Sequence, residues 1–273
     1  MLLQMYTDVQ CPWCWIGSQR FKQFLASPAY RDEVAPHVRT VVRIEPYLLD
    51  SRLPATSYDT PDGVYDALST TPYDKNKPPS KKEYYGTKFG AGLDAFDRRI
   101  SAAATEVGLP PFDWHSEDGK VGATWDCHRL VLRASNLDDQ DPQLADGDPQ
   151  RWVHHSRQLR LMDRLYADFH ANSRDMSDRS YLAPLAAELG LFDDEAAAAK
   201  WLASDEAEYE LRNKLKIAEM NGVMQIPFYI VNDGADHLTG WTGDHAEFLR
   251  VMKMQVAAFA RLSLVDDALD STA

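Results

Sequence analysis

Two hydrophobic periods alternate along this chain, and the switches between them mark its plan. Leu2–Asp8 reads as a short apolar strand. After it, Trp15, Ile16, Phe21, Phe24 and Leu25 fall on one stripe at helical spacing, with Pro12 suited to a first helical turn. His37–Leu49 alternates again and is rich in Val and Ile, which predicts a second strand. Strand, helix and strand together make a βαβ unit.

The next stretch, residues 50–79, holds five prolines (Pro54, Pro61, Pro72, Pro78 and Pro79) and no sustained period. It reads as a long loop with one helical turn near Val64–Leu68, the kind of segment that serves as a lid or stays disordered. From Lys81 to Gly190 the pattern is helical. One helix ends at Gly108, a second covers "ATWDCHRLVLRAS", and an acidic loop spans Asn136–Gln150. A single long helix is predicted over residues 151–171, and another, capped by Ser177 or Asp178, stops at Gly190. Two more helices follow, the second ending at Gly222. The period then returns to two, with Ile226–Asn232 and His237–Trp241 forming a hairpin around "DGAD" before a last amphipathic helix.

The order βαβ, helical block, αββα predicts an α/β fold: a thioredoxin fold around a central sheet with an inserted all-helical domain. Residues 1–50 and 201–273 form the two parts of the thioredoxin fold. Residues 51–200 are the insertion, a long loop plus the helical domain.

Composition narrows the function. Hydrophobic residues are 44% and charged residues 26%, as in ordinary globular chains. The net charge of −13, from 29 basic and 42 acidic residues, opposes nucleic-acid binding, and no basic stripe reverses it. No apolar run reaches the ~18–20 residues of a membrane span. "MLLQMYTDV" lacks the basic residues of a signal peptide, so a cytoplasmic protein is expected. Three cysteines, Cys11, Cys14 and Cys127, cannot build a disulfide framework.

Cys11 and Cys14 frame Pro12 and Trp13 at the junction of the first strand and helix. A CxxC pair alone leaves three readings open: a redox dithiol, half of a metal site, or two buried small side chains. Zinc wants four ligands, and only the adjacent Cys127 and His128 are at hand to complete a set, so no metal site is expected. The redox reading has a physical basis. The first turn of a helix favours an anion, which places a nucleophilic thiolate at Cys11. Cys14, one turn on and deeper, is within reach for a disulfide and is expected to hold its proton more tightly. Pro12–Trp13 puts no cation beside Cys11, unlike a histidine in place of Trp13, which points to a reducing pair. Far along the chain, Pro227 opens the strand "FYIV" after Ile226.

The stretches "DVQCPWCWIG", "RIEPYLL", "KKEYYGTKFG", "WDCHRLV", "MDRLYADFHANSRDMSDRSYLAPLAAELGL" and "MNGVMQIPFYIV" resemble, in order, the DsbA-like thioredoxin-fold oxidoreductases, most closely their FrnE-like branch. The resemblance implies Cys11 as nucleophile, Cys14 as resolving cysteine and Pro227 as a cis proline. It also implies that the helical block walls the active-site cleft. Pro12, Trp13, Ile226, His128 and Arg129 are then the candidates for substrate contact, Trp13 as an exposed apolar tip and His128 or Arg129 for an anionic group. For Asp8 a turn or capping role is expected rather than acid–base work, and Cys127 is expected in the core.

The function implied is a thiol–disulfide oxidoreductase of the reductase or isomerase type. It would act on a disulfide-containing protein or small molecule, with a partner reductase or a low-molecular-weight thiol returning electrons. No tightly bound cofactor is expected, and glutathione is the natural thiol cosubstrate. An alternative within the same superfamily is a glutathione-dependent transferase or isomerase, like kappa-class glutathione transferases and 2-hydroxychromene-2-carboxylate isomerases. There Gly240–Phe248 would offer helix amides to a glutathione carboxylate, although those relatives usually carry serine where Cys11 stands. A non-catalytic scaffold is a third reading.

Overall fold

A computed structural model describes residues 1–57, 74, 77–146, 148–232, 236–239 and 244–270, with backbone alone for 236, 237, 239 and 262–270. The helical turn expected at Val64–Leu68, the "DGAD" turn and Gly240–Gly243 lie outside the described residues.

Strand β1 (Leu2–Thr7) pairs in parallel with β2 (Val41–Pro46), joined by helix α1 (Pro12–Leu25). On its other side β1 pairs antiparallel with β3 (Phe228–Val231), and β3 with β4 (Asp236–Thr239), giving the order β2-β1-β3-β4. β2 is shorter than the alternating run from His37 to Leu49 because β1 offers only six residues to pair with before the chain turns at Asp8. Register assigns the faces. Met5 lies beside Ile44 and Tyr229, so these three point the same way, and Glu45 points the other. On the Tyr229 face, Phe21 of α1 and Phe248 of α11 (His245–Asp270) meet its ring at centroid distances of 5.8 and 5.1 Å. On the Glu45 face, Lys214 of α10 (Glu208–Met220) donates to its carboxylate at 3.0 Å.

Between β2 and β3 run the inserted helices. A short helix α2 (Pro28–Glu33), capped by Ser27, precedes β2 and was not foreseen in the apolar pattern. The insertion then holds α3 (Lys81–Phe89), α4 (Leu93–Glu106), α5 (Trp125–Asp139), α6 (Pro149–His155), α7 (Arg157–His170), α8 (Arg179–Glu188) and α9 (Glu195–Leu202). The expected boundary at residue 200 falls inside α9, which packs on α8. Gly108, Gly190 and Gly222 follow their helices with φ of +78, +72 and +71°, left-handed positions that a side chain would strain.

The single long helix expected over residues 151–171 is instead two helices broken at Ser156. The cause lies on another element. Asp138 of α5 accepts from Ser156 Oγ at 2.7 Å and from the amides of Arg157 and Gln158 at 2.8 and 3.0 Å, so it caps α7 from outside. α5 also runs through Asp139, four residues into the stretch read as acidic loop. No helix among the described residues is long and apolar enough to cross a membrane.

Candidate active site

Cys11 is the N-cap residue of α1, in extended conformation, with Pro12 opening the first turn. A tight turn feeds it: Cys11 N–H donates to Asp8 O at 3.1 Å, and Cys14 N–H to Cys11 O at 3.0 Å. Cys11 is itself enclosed, with 4% of its surface accessible, while the deeper Cys14 has none. Burial, together with the hydrogen bond and charge of Cys11, pushes the Cys14 thiol well above its ordinary range.

Pro227 closes over the pair from the far end of the chain. The Ile226–Pro227 peptide is cis, and the Cys11 thiol donates to Ile226 O at 3.8 Å. Ile226 N–H has no partner among the described residues. Gly17, one turn beyond Cys14, lets this approach happen: a Cβ there would lie 3.1 Å from Tyr229 Oη and 3.2 Å from Pro227 Cγ.

Behind Cys14 the insertion enters the site. Thr7 hydrogen-bonds the Cys14 sulfur and also Tyr166 Oη of α7. Trp15 stacks on Phe112 and His170 at 5.2 and 5.9 Å, so α7 and the segment before α5 back the motif with rings. Burial and then the Lys81 charge hold His170 well below the ordinary imidazole range, leaving it neutral. Above Cys11 stand Tyr47 and Tyr85. Burial first, and next the charges of Asp8 and Cys11, raise both phenols. Tyr85 Oη is buried with no partner among the described residues. None of Thr7, Tyr47, Tyr85 or Tyr166 was singled out by sequence reasoning, although Tyr47, Tyr85 and Tyr166 lie in stretches that carry the family resemblance.

Several expected contacts are corrected by burial. Arg129 is fully enclosed, and its guanidinium serves the carbonyls of Leu202, Ser204 and Glu206 and the Asp126 carboxylate. It is a structural cation and does not reach a substrate. His128 is 1% accessible, with Nε2 3.6 Å from Asp8 Oδ1. Pro12 is buried, and Trp13 is half-buried with the Arg99 guanidinium 5.3 Å above its ring, not an exposed tip. Asp8 has the turn role expected, accepting from the amides of Leu49 at 2.6 Å and Gln10 at 3.3 Å. Cys127 is in the core, its thiol donating to Met176 O at 3.3 Å. Among the described residues no group of three or more His, Cys, Asp or Glu side chains could hold a metal ion.

No family model and no curated protein sequence matches the chain. Solved structures do. A probable DsbA oxidoreductase from Streptomyces coelicolor is similar over 94% of this chain and 90% of its own, with a TM-score of 0.66 and 22% identity. The fold is that of the DsbA-like oxidoreductases. The same thioredoxin fold with a helical insertion is found in the cytosolic disulfide reductase DsbM from Pseudomonas aeruginosa, solved with GSH. That match covers 94% of this chain and 100% of DsbM, at 14% identity and a TM-score of 0.55. A 2-hydroxychromene-2-carboxylate isomerase shares it too, over 98% of this chain and 99% of its own, at 15% identity and 0.51. On this DsbA-like scaffold the first cysteine stands at the head of α1 and the cis proline lies across from it.

Proposed function

We propose that the chain is a thiol–disulfide oxidoreductase of the FrnE-like branch, working as a reductase or isomerase in a reducing compartment. The observation that carries this is the Cys11 sulfur at the N-terminus of α1, set against the Ile226 carbonyl, with fully buried Cys14 one turn behind it. A helix N-terminus favours the sulfur anion that attacks. The Cys11 thiolate attacks one sulfur of the substrate disulfide; that S–S bond breaks, and the leaving thiolate takes a proton from solvent. Cys14 then loses its proton and attacks the Cys11 sulfur of the mixed disulfide. The second substrate thiol departs, and two electrons have moved from the dithiol, now a Cys11–Cys14 disulfide, to the substrate. Two equivalents of a low-molecular-weight thiol such as glutathione, or a partner reductase, return them.

The Ile226 N–H, without a partner among the described residues, belongs to the residue whose carbonyl meets Cys11 and is suited to hold an extended substrate backbone as an added strand. A cysteine at position 11 favours disulfide exchange over the isomerase chemistry named for one structural neighbour. The test is reduction of insulin or a small disulfide by Cys11→Ser: activity should vanish, and a wild-type rate would refute the assignment.

A further inference from the structure

A continuous chain of contacts leads from the nucleophile to one lysine on the insertion. Cys11 N–H donates to Asp8 O, and the Asp8 carboxylate accepts from Leu49 N–H. The next residue, Asp50, accepts from Tyr84 Oη at 3.4 Å, and Tyr84 Oη accepts from Lys88 Nζ at 3.0 Å. Lys88 thus stands on α3, near enough to Cys11 for the two charges to interact. Its ammonium lies 5.0 Å from the Tyr84 ring centroid and 6.0 Å from that of Phe89.

Lys88 has no carboxylate partner, a trait it shares with Lys81, Lys200 and Lys216 among the described residues; what sets it apart from these is its place near Cys11. Lys22, Lys82, Lys214 and Lys253 each contact an Asp or Glu at 3.0 Å or less. Lys88 has none within ion-pair distance among the described residues, because Arg52 takes both oxygens of Asp50 at 2.9 and 3.0 Å. The side chain is exposed at the surface. Desolvation by the surrounding protein lowers its proton affinity, while the charges of Asp50, Cys11 and Asp8 oppose that drop. On a chain of net charge −13, Lys88 places an ammonium without an ion pair of its own among the charges of Asp50, Asp8, Arg52 and Cys11.

We infer that Lys88 anchors a carboxylate of the substrate, and that the preferred substrates are low-molecular-weight disulfides bearing carboxylates. This rests on the oxidoreductase reading above. The ammonium offers donors to the carboxylate while the Tyr84 and Phe89 rings line its stem. Lys88 positions the substrate and takes no part in sulfur exchange.

The experiment is single-turnover oxidation of the pre-reduced protein by two small disulfides: neutral bis(2-hydroxyethyl) disulfide and dianionic 3,3′-dithiodipropionate. The readout is the ratio of the two second-order rate constants. Lys88→Ala should lower the dianion-to-neutral ratio about five- to tenfold, the scale of one charge-assisted contact. Lys88→Arg should restore most of it, and added salt should compress the wild-type ratio. An unchanged ratio in Lys88→Ala, including an equal fall in both rates, would overturn the inference while leaving the oxidoreductase reading intact. If wild type reacts with neither disulfide, that reading fails and takes the inference with it.

Discussion

Replacing Arg129 with methionine tests whether this residue serves the fold or the substrate. The guanidinium donates to Asp126 Oδ1 at 2.7 Å, to Leu202 O at 3.1 Å, to Ser204 O at 2.7 Å and to Glu206 O through two nitrogens at 2.7 and 2.9 Å. Leu202 ends α9, so its carbonyl has no partner within the helix. The loop so held leads into Ala207, a non-glycine residue at φ +63°. The thioether side chain would fill much of the volume but leave these carbonyls dry. Each buried orphan costs about 1–3 kcal/mol, and losing one partner of a buried ionic network costs about 3–5 kcal/mol after relaxation. Asp126 keeps Arg179 at 2.7 Å, which sets the expectation at the lower end, about 3 kcal/mol. For a chain of this size that is a fall in Tm on the order of 10 °C. Urea unfolding followed by tryptophan fluorescence measures the loss, and single-turnover disulfide oxidation below the transition measures the site. Unchanged stability with a slowed reaction would refute the structural role and return Arg129 to the substrate.

Lys81 is buried with its ammonium on Phe169 O, and desolvation lowers its pKa from 10.5 to about 8. The unfolded chain therefore binds more protons between those values, and stability attributable to Lys81 rises with pH from about 8 to 10.5, by roughly 3 kcal/mol. Lys81→Met should lack that rise in paired urea titrations at pH 7.5 and 10; parallel pH profiles for the two proteins would contradict it. Iodoacetamide on the native reduced protein should modify Cys11 alone, since Cys14 and Cys127 have no accessible surface, and both should label only after denaturation. Mass spectrometry showing Cys127 modified as fast as Cys11 would count against the packing described.

Local rules carried the sequence reading as far as backbone and period decide structure. Gly108, Gly190 and Gly222 stop helices because the left-handed turn belongs to glycine itself. Cys11 and Pro12 open α1 for equally local reasons. The errors share a different origin. Ser156 breaks a helix because Asp138, on a separate element, competes for its amides. Arg129 was a substrate candidate through the family resemblance of its stretch, yet α5 is buried on every side from Trp125 to Leu132. Lys88 and Tyr85 were in view only as part of a familiar stretch; their relation to Cys11 depends on how α3 docks, which no period encodes.

The Thr7–Tyr166 contact bears on how such a protein can be taken apart. Tyr166 belongs to the insertion, but through Thr7 it reaches the Cys14 sulfur. The helical block is thus no detachable lid on a minimal catalytic unit. Excising it would open the back of Cys14 to water and strip Trp15 of its stacked rings. A chimera carrying another helical domain would keep the surroundings of Cys14 only by bringing a hydroxyl to the place of Tyr166. Specificity at the rim and reactivity at the buried thiol are therefore inherited together, on one piece of chain.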